Sequence, residues 1–530
     1  GEFTNEPLSD FKGNAKHRAG MEEALKAVKD ELGREYGLVI AGERIIAPEK
    51  FTSTNPAQPD QTVGVFSKAS KELAEKAIQA ADAAFASWSQ TPAEARVNVL
   101  VSTAAILRDR KFYYAAWMTY EVGKTWAEAD ADVAEAIDFC EFYAREMLRL
   151  DGPQPVVPIP GEHNYLRYIP LGVGVVIPPW NFPLAITTGI TAAAVVTGNT
   201  AVLKPSSDSP TTAYKFFEAL EAAGMPAGVV NFVPGPGSAV GDVLVSHPRT
   251  RFVAFTGSKD VGLGINELAA KRVPGQLWIK RVIAEMGGKD SIIVDSDCDL
   301  DAAVEGVAAS SFGYQGQKCS ACSRAIVVEK VYDAFLEKLR ARVATIKTSD
   351  PAKPDSDMGP VINAKAQRQI LDYIEAGKKE GRLVAGGGAS GPGHFIQPTV
   401  IADVPPKGKI AQEEIFGPVL AVIKARDFED ALDVANNTEY GLTGAVYTRD
   451  RRKLEKAARE FHVGNLYFNR KCTGAMVGAH PFGGFNMSGT DSKVGGRDYL
   501  LLFLQGKSLA EKVAESQQAA GRARQREAGS

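Results

Sequence analysis

From Leu171 onward the chain alternates short apolar runs with stretches of helical length, and this alternation restricts the fold more than any other feature. The apolar runs are GVGVVIP, AVLKP, VVNFVPG and RFVAFTG; between and after them lie helical segments over 184–197, 211–223, 240–246 and 261–270. Strands apolar on both faces and separated by helices predict βαβ units, hence an α/β fold with a parallel, doubly wound sheet. Sheets of this kind bind ligands at the carboxyl ends of their strands. A further α/β segment begins near Arg281 with RVIAEMGGKD, SIIVD, a helix to Phe312 and the loop GYQGQKCSA. AIVVEK, PTVIADV, GPVLAVIKA and GAVYTRD carry the mixed pattern to about Arg459.

Upstream, Met21, Leu25, Val28 and Leu32 form one helical stripe within 12–35, the mark of an amphipathic helix packed on the surface. Two further helices are expected, over 71–88 and 93–122. Gly1, Glu2 and Phe3 carry no weight in the argument, and the polar end of the chain, SQQAAGRARQREAGS, predicts a mobile tail. At 530 residues, two or three packed domains are expected. A net charge of -3 gives no reason to expect nucleic acid or an anionic membrane as partner. Without an apolar run of about 18 residues or a signal-peptide pattern, a cytoplasmic location is expected. The five cysteines, Cys140, Cys298, Cys319, Cys322 and Cys472, are too few and too irregular for a disulfide framework and read as free thiols. Cys319 and Cys322 form a C-x-x-C, but no second C-x-x-C or H-x-x-x-H accompanies it, so no metal is expected. No internal repeat is visible.

Five motifs carry the chemistry. IPPWNFP, at 177–183, ends a strand and opens a helix, placing the Asn181 amide at the sheet's carboxyl edge; alone, Asn181 reads equally well as a helix cap. LKPSSD sets Lys204 after the next strand, where it can hold a ribose or phosphate or simply be solvated. FTGS puts Thr256, Gly257 and Ser258 at a strand-to-helix turn whose free N–H groups and dipole favour a pyrophosphate. EMGGKD places Glu285 and Met286 at a strand end beside two glycines, and GQKCSA places Cys319 in a loop of small residues. A strict G-x-G-x-x-G is absent; GPGSAVG, spanning Gly237 and Gly241, is a loose relative that by itself reads as a turn.

With EEIFGP added, PWNFP, FTGS, EMGGK and GQKCS occur in an order that resembles the aldehyde dehydrogenase superfamily over about 36–505. The resemblance implies an NAD(P)-binding domain over 1–150 and 170–283 with an N-terminal helical extension, and a catalytic domain over 284–483. It also implies a small β-hairpin oligomerisation element, with 151–169 pairing near 484–508, which leaves 509–530 as the tail; this gives a homo-dimer that can assemble further, to a hexamer for instance. Cys319 is the implied nucleophile, Asn181 and the Cys319 N–H the oxyanion donors, and Glu285 the base that activates water. The implied cofactor is NAD. Lys204 is assigned to the adenosine ribose, Glu414 to the nicotinamide ribose and Phe416 to the ring, while Glu413 is a solvated bystander. Ile177, Pro178, Trp180, Asn181, Gly237, Gly241, Thr256, Gly257, Ser258, Val261 and Met286 complete the implied cofactor site. Ser207 departs from the glutamate of many NAD-preferring members, so NADP is tolerated in this reading.

GNLYFNRKCTGAMVGAHPFGGFNMSGT resembles the aldehyde-anchoring region of 1-pyrroline-5-carboxylate dehydrogenases, which oxidise L-glutamate γ-semialdehyde to glutamate in the second step of proline catabolism. The N-terminal helix fits that subfamily. Its substrate carboxylate maps to Ser320, Gly474 and Ala475, its aliphatic chain to Phe182 and Phe482, and its ammonium to Glu135, for which a helix-surface salt bridge is the alternative. Cys472 departs from the small or β-branched residue expected there. Rival readings are a dehydrogenase for another aldehyde such as succinate semialdehyde, acyl transfer to coenzyme A, and a non-catalytic protein that kept the fold. The first usually calls for an anchoring arginine, absent from 474–479; Glu285 opposes the second; Cys319, Glu285 and Asn181 together oppose the third.

Overall fold

The computed structural model describes residues 1–513 and contains two seven-stranded sheets. The first runs, in spatial order, Arg281–Glu285, Thr250–Thr256, Val173–Ile177, Thr200–Leu203, Val230–Phe232, Leu38–Ile40 and Glu43–Ile45. Its first five strands are parallel, as the alternation predicts, and Val173–Val176 and Thr200–Leu203 are wholly buried because helices cover both faces. Two differences from the sequence reading stand out. Arg281–Glu285 is the edge strand of this sheet and does not begin a separate α/β segment, and the opposite edge carries an antiparallel hairpin, Leu38–Ile40 with Glu43–Ile45. Its strands are three residues long, too short for periodicity to reveal.

The second sheet runs Arg382–Ala385, Thr399–Ala402, Val419–Ala425, Cys322–Val328, Asp290–Val294, Thr443–Tyr447 and Asn465–Phe468, all parallel except the first pair. A third, antiparallel sheet pairs Glu162–Pro170 with Leu504–Lys512 along nine residues of each strand and adds Pro153–Gln154. The expected pairing of 151–169 with 484–508 is therefore corrected. Only 504–508 of that segment joins the ladder, and 509–512, expected as tail, continues it; the remainder of the tail, 514–530, lies outside the described residues. Residues 488–492 cross the end of the Arg281–Glu285 strand instead, since Met286 N–H donates to Ser488 O at 2.8 Å and Thr490 N–H to Ala284 O at 2.8 Å.

The predicted 93–122 helix is two helices, Ala93–Asp109 and Lys111–Val122, broken where Arg110 leaves helical geometry at φ -115, ψ 31. The N-terminal helix is Ala15–Lys29, capped by Asn14, with Met21, Leu25 and Val28 buried; Leu32 lies beyond its end. The segment before it is pinned by two carboxylates of the Trp126–Leu150 helix: Asp130 accepts from Ser9 N and Oγ, and Asp138 from Asn5 Nδ2 and Glu6 N. Phe3, given no weight in the sequence, packs edge-on against Phe142 at 5.2 Å.

Asn199, fully buried, knots three parts of the fold. Its Oδ1 accepts from Leu171 N (2.7 Å) and Gly172 N (2.9 Å), while Nδ2 donates to Phe503 O (2.9 Å) and Thr197 Oγ1 (2.9 Å). Leucine in its place strands two N–H groups and a carbonyl without water. Since each such group costs about 1–3 kcal/mol, Asn199→Leu is expected to lower stability by at least ~3 kcal/mol, read as a shifted denaturant midpoint; an unchanged midpoint would refute the role.

Candidate active site

The motif residues gather because parallel strands end along one line. In register, Ile177 lies beside Phe255, and Thr256 beside Glu285, so IPPWNFP, FTGS and EMGG leave the sheet at the same edge. Gly257 N–H donates to Glu285 O at 3.0 Å, binding two of these turns together. Pro178 and Trp180 follow Ile177 into the turn, and Trp180 packs edge-on against Phe416 at 5.6 Å.

The Cys319 turn comes from the second sheet's side. Cys319 and Ser320 occupy the middle of a turn closed by Ala321 N–H to Lys318 O at 3.0 Å. Chain approach is so close here that a Cβ on Gly316, whose φ is +67°, would fall 2.1 Å from Gly417 O; only glycine fits. Tyr314 and Gln315 precede it in left-handed conformation, φ 46° and 58°. The two sides meet at Asn181, 4% exposed, whose Nδ2 donates to Gln317 O at 3.1 Å. The Cys319 backbone N–H has no acceptor among the described residues.

Burial dominates the electrostatics. The Cys319 thiol is held well above its ordinary value by burial and then by the carboxylates of Asp290, Glu285 and Glu414, against the smaller, opposing influence of the Ser320 backbone N–H. Glu285 is pushed up to about 8 by burial, against two opposing hydrogen bonds to Oε1 from Ser492 Oγ and Ser492 N (3.2 Å). Its other oxygen, Oε2, is buried without a partner among the described residues. Burial raises Glu414 to about 7; Oε1 accepts from Gly288 N at 3.1 Å, and Glu413 next to it is exposed, as expected.

The residues assigned to a dinucleotide line the same edge. Lys204 is buried and pushed down to about 8 by burial, with no anion among the described residues offsetting the shift. Gly241 stands beside it, a Cβ there falling 3.9 Å from Lys204 Cε, and Gly237 opens on free space. Ser258 caps the Lys259–Ala270 helix by accepting from Val261 N; Val261 is 54% exposed, and Met286 closes on Gly262 of the same helix. An unpaired cation, an open glycine turn and a helix N-terminus fit a dinucleotide's ribose and phosphates. Ser207 is exposed two residues beyond the buried Lys204–Pro205 turn.

On the opposite side, the backbone N–H groups of Gly474 and Ala475 have no hydrogen-bond partner among the described residues. Their loop is joined to the Cys319 turn by Cys472, whose Sγ donates to Ser320 O at 3.3 Å and whose N–H donates to Ser310 Oγ at 3.2 Å. The unexpected Cys472 is thus a strut. Phe482 is held by a two-way bridge with Val494, and Phe182 follows Asn181. Glu135 makes no ion pair among the described residues, contrary to the surface salt-bridge alternative; burial and Asp132 push it up to about 8. Ser492 was missed as a site residue, and the roles of Cys472 and Gln317 were not foreseen, because each acts on an atom far away in sequence.

The aldehyde dehydrogenase family profile matches residues 45–509. A Geobacillus 1-pyrroline-5-carboxylate dehydrogenase is 60% identical over 510 residues, 96% of this chain and 99% of its own. The crystal structure of Thermus 1-pyrroline-5-carboxylate dehydrogenase with bound NAD superposes with a TM-score of 0.95 at 53% identity, covering 97% of this chain and 99% of that one. Staphylococcus aureus betaine aldehyde dehydrogenase in complex with NAD+ is more distant, with a TM-score of 0.86, 31% identity and coverage of 92% and 96%. Sequence and structure together place this chain in the aldehyde dehydrogenase family.

Proposed function

We infer that the protein oxidises L-glutamate γ-semialdehyde, the open form of 1-pyrroline-5-carboxylate, to L-glutamate with reduction of NAD, the second step of proline catabolism. The observation that carries this reading is the strut at Cys472: it joins the unpartnered N–H pair of Gly474 and Ala475 to Ser320 and so to Cys319. An anion receptor held rigidly beside a nucleophile suits a substrate with a carboxylate at one end and an aldehyde at the other. The full-length relatives that bear this activity in their names support it.

Burial and the carboxylates of Asp290, Glu285 and Glu414 hold the Cys319 thiol above its ordinary value, and its proton passes to the ionised Glu285 carboxylate and on to solvent before the sulfur attacks. The thiolate then forms a C–S bond to the aldehyde carbon, and the resulting oxyanion is met by Asn181 Nδ2–H and Cys319 N–H. One such donor is worth about 3 kcal/mol in the transition state. A nicotinamide ring, when bound, accepts the hydride from that carbon. Glu285 Oε2, free while Oε1 is clamped, takes a proton from water; the hydroxide adds to the Cys319 thioester, the C–S bond breaks and the carboxylate leaves. Lys204 and Glu414 orient the two riboses, with Phe416 and Trp180 around the ring. Phe182 and Phe482 flank the aliphatic chain, and Glu135 meets the ammonium. Exposed Ser207 puts no carboxylate near a 2′-phosphate, so NADP is accepted as well.

Among the described residues no helix is long and apolar enough to cross a membrane. A cytoplasmic location suits five unpaired thiols. We assign a homodimer, extendable to a hexamer, to the antiparallel Glu162–Pro170 and Leu504–Lys512 sheet, since Val157 (85%) and Ile159 (53%) stand exposed at its approach.

With glutamate semialdehyde and NAD, the protein is expected to yield NADH and free glutamate, more slowly with NADP; Cys319→Ala abolishes both, whereas turnover of other aldehydes alone would overturn the substrate. Glu285→Ala gives one NADH per site and then stalls, and steady turnover would remove Glu285 from its role. Because the ionised carboxylate is the base and burial raises it to about 8, hydrolysis climbs with pH and levels above that value. Ser492→Ala removes the hydroxyl donor that favours the carboxylate, leaving the backbone N–H, and moves the limb to higher pH; an unmoved limb refutes the clamp. Light scattering is expected to give at least twice the chain mass, and a monomer would exclude the assembly.

A further inference from the structure

The Trp126–Leu150 helix carries charge into the core beneath the site. Lys124, just before it, is fully buried, and its Nζ lies 2.9 Å from Asp132 Oδ2, itself buried. An ion pair this deep gains little stability over a well-packed apolar pair, because both charges lose their water. Its placement accounts for it better.

Asp132 Oδ1 accepts from the N–H of Ala185 at 2.7 Å. Ala185 opens the Ala185–Val196 helix, whose N-cap Leu184 offers no side-chain acceptor. Asp132 is therefore a remote cap for this helix, supplying negative charge where unpaired N–H groups and the dipole require it. The turn it fixes holds Asn181 and Phe182. Lys124 Nζ sits 4.0 Å from the centre of the Phe182 ring and 4.5 Å from that of Tyr314. Tyr314 belongs to the left-handed stretch leading to Cys319; its hydroxyl donates to Val122 O at 2.6 Å, and Gln315 Nε2 donates to Gly123 O at 3.0 Å. Residues 122–124 thus touch both halves of the oxyanion site, and the Asn181 to Gln317 hydrogen bond closes the circuit.

We propose that Asp132 and Lys124 are positioning residues that set the distance between the Asn181 amide and Cys319, one by capping the helix after Asn181 and the other by bridging that cap to the Cys319 loop. The proposal rests on the reading of Asn181 as oxyanion donor.

A double-mutant cycle tests it. Since misplacing a catalytic group by 1 Å can cost about 10²-fold, Asp132→Ala is expected to lower kcat for glutamate semialdehyde by one to two powers of ten. NADH affinity, measured by fluorescence titration, stays at the wild-type value. Asp132→Asn, which keeps an oxygen for Ala185 N–H, restores most of the rate. In an Asn181→Ala background the Asp132→Ala loss largely disappears, because there is no amide left to misplace. Penalties that multiply in full, or wild-type kcat in Asp132→Ala, overturn the proposal. If Asn181→Ala alone leaves kcat unchanged, the oxyanion assignment itself fails and the proposal with it. Should Asp132→Ala not fold, Lys124→Met goes through the same cycle with the same criteria.

Discussion

A parallel sheet covered on both faces leaves its strands one place to present chemistry, the turns at their carboxyl ends, and the active site is built on that constraint. Asn181, Lys204, Ser258 and Glu285 each lie at or just past the end of a first-sheet strand, so that backbone register sets their spacing. Cys319 arrives from the other sheet, just before the Cys322–Val328 strand. The Asn181 to Gln317 hydrogen bond spans the junction, and without that closure the two edges would carry halves of a site.

The junction is crowded with carboxylates, and their protonation follows from burial. Asp290, Glu285 and Glu414 raise the Cys319 thiol and are themselves raised, because removal from water disfavours each charged form. Cations respond in the opposite sense: Lys289, buried without a hydrogen-bond partner among the described residues, falls to about 7. Arg324 avoids isolation by donating to the carbonyls of Lys289, Val434 and Ala435, which anchors the strand behind the Cys319 turn. The outcome is a largely buried junction in which one free carboxylate oxygen and one side-chain amide stand out.

Much of this was legible in the sequence. The βαβ alternation specified the parallel strands, since apolar runs buried on both faces have a period that survives without context. The strand-end motifs specified Asn181 and Glu285 because such turns follow strands directly, whereas Cys319 lies in a loop of small residues ahead of the Cys322–Val328 strand. The short Leu38–Ile40 hairpin, the break at Arg110 and the bounds of the strand that pairs with Glu162–Pro170 were not legible: three-residue strands, single-residue kinks and ladders between segments over three hundred residues apart leave no periodic trace.

By itself, then, the sequence determined the α/β class, the order of the strand-end turns and the residue types each turn offers, because these depend on local pattern. Tertiary structure alone decided that Ser492 clamps one oxygen of Glu285, that Cys472 struts the anchor loop to Ser320, and that Asp132 caps the helix behind Asn181. Each of these is a hydrogen bond between atoms more than fifty residues apart, and its existence depends on where two elements pack, a matter of shape and burial that no window of sequence contains.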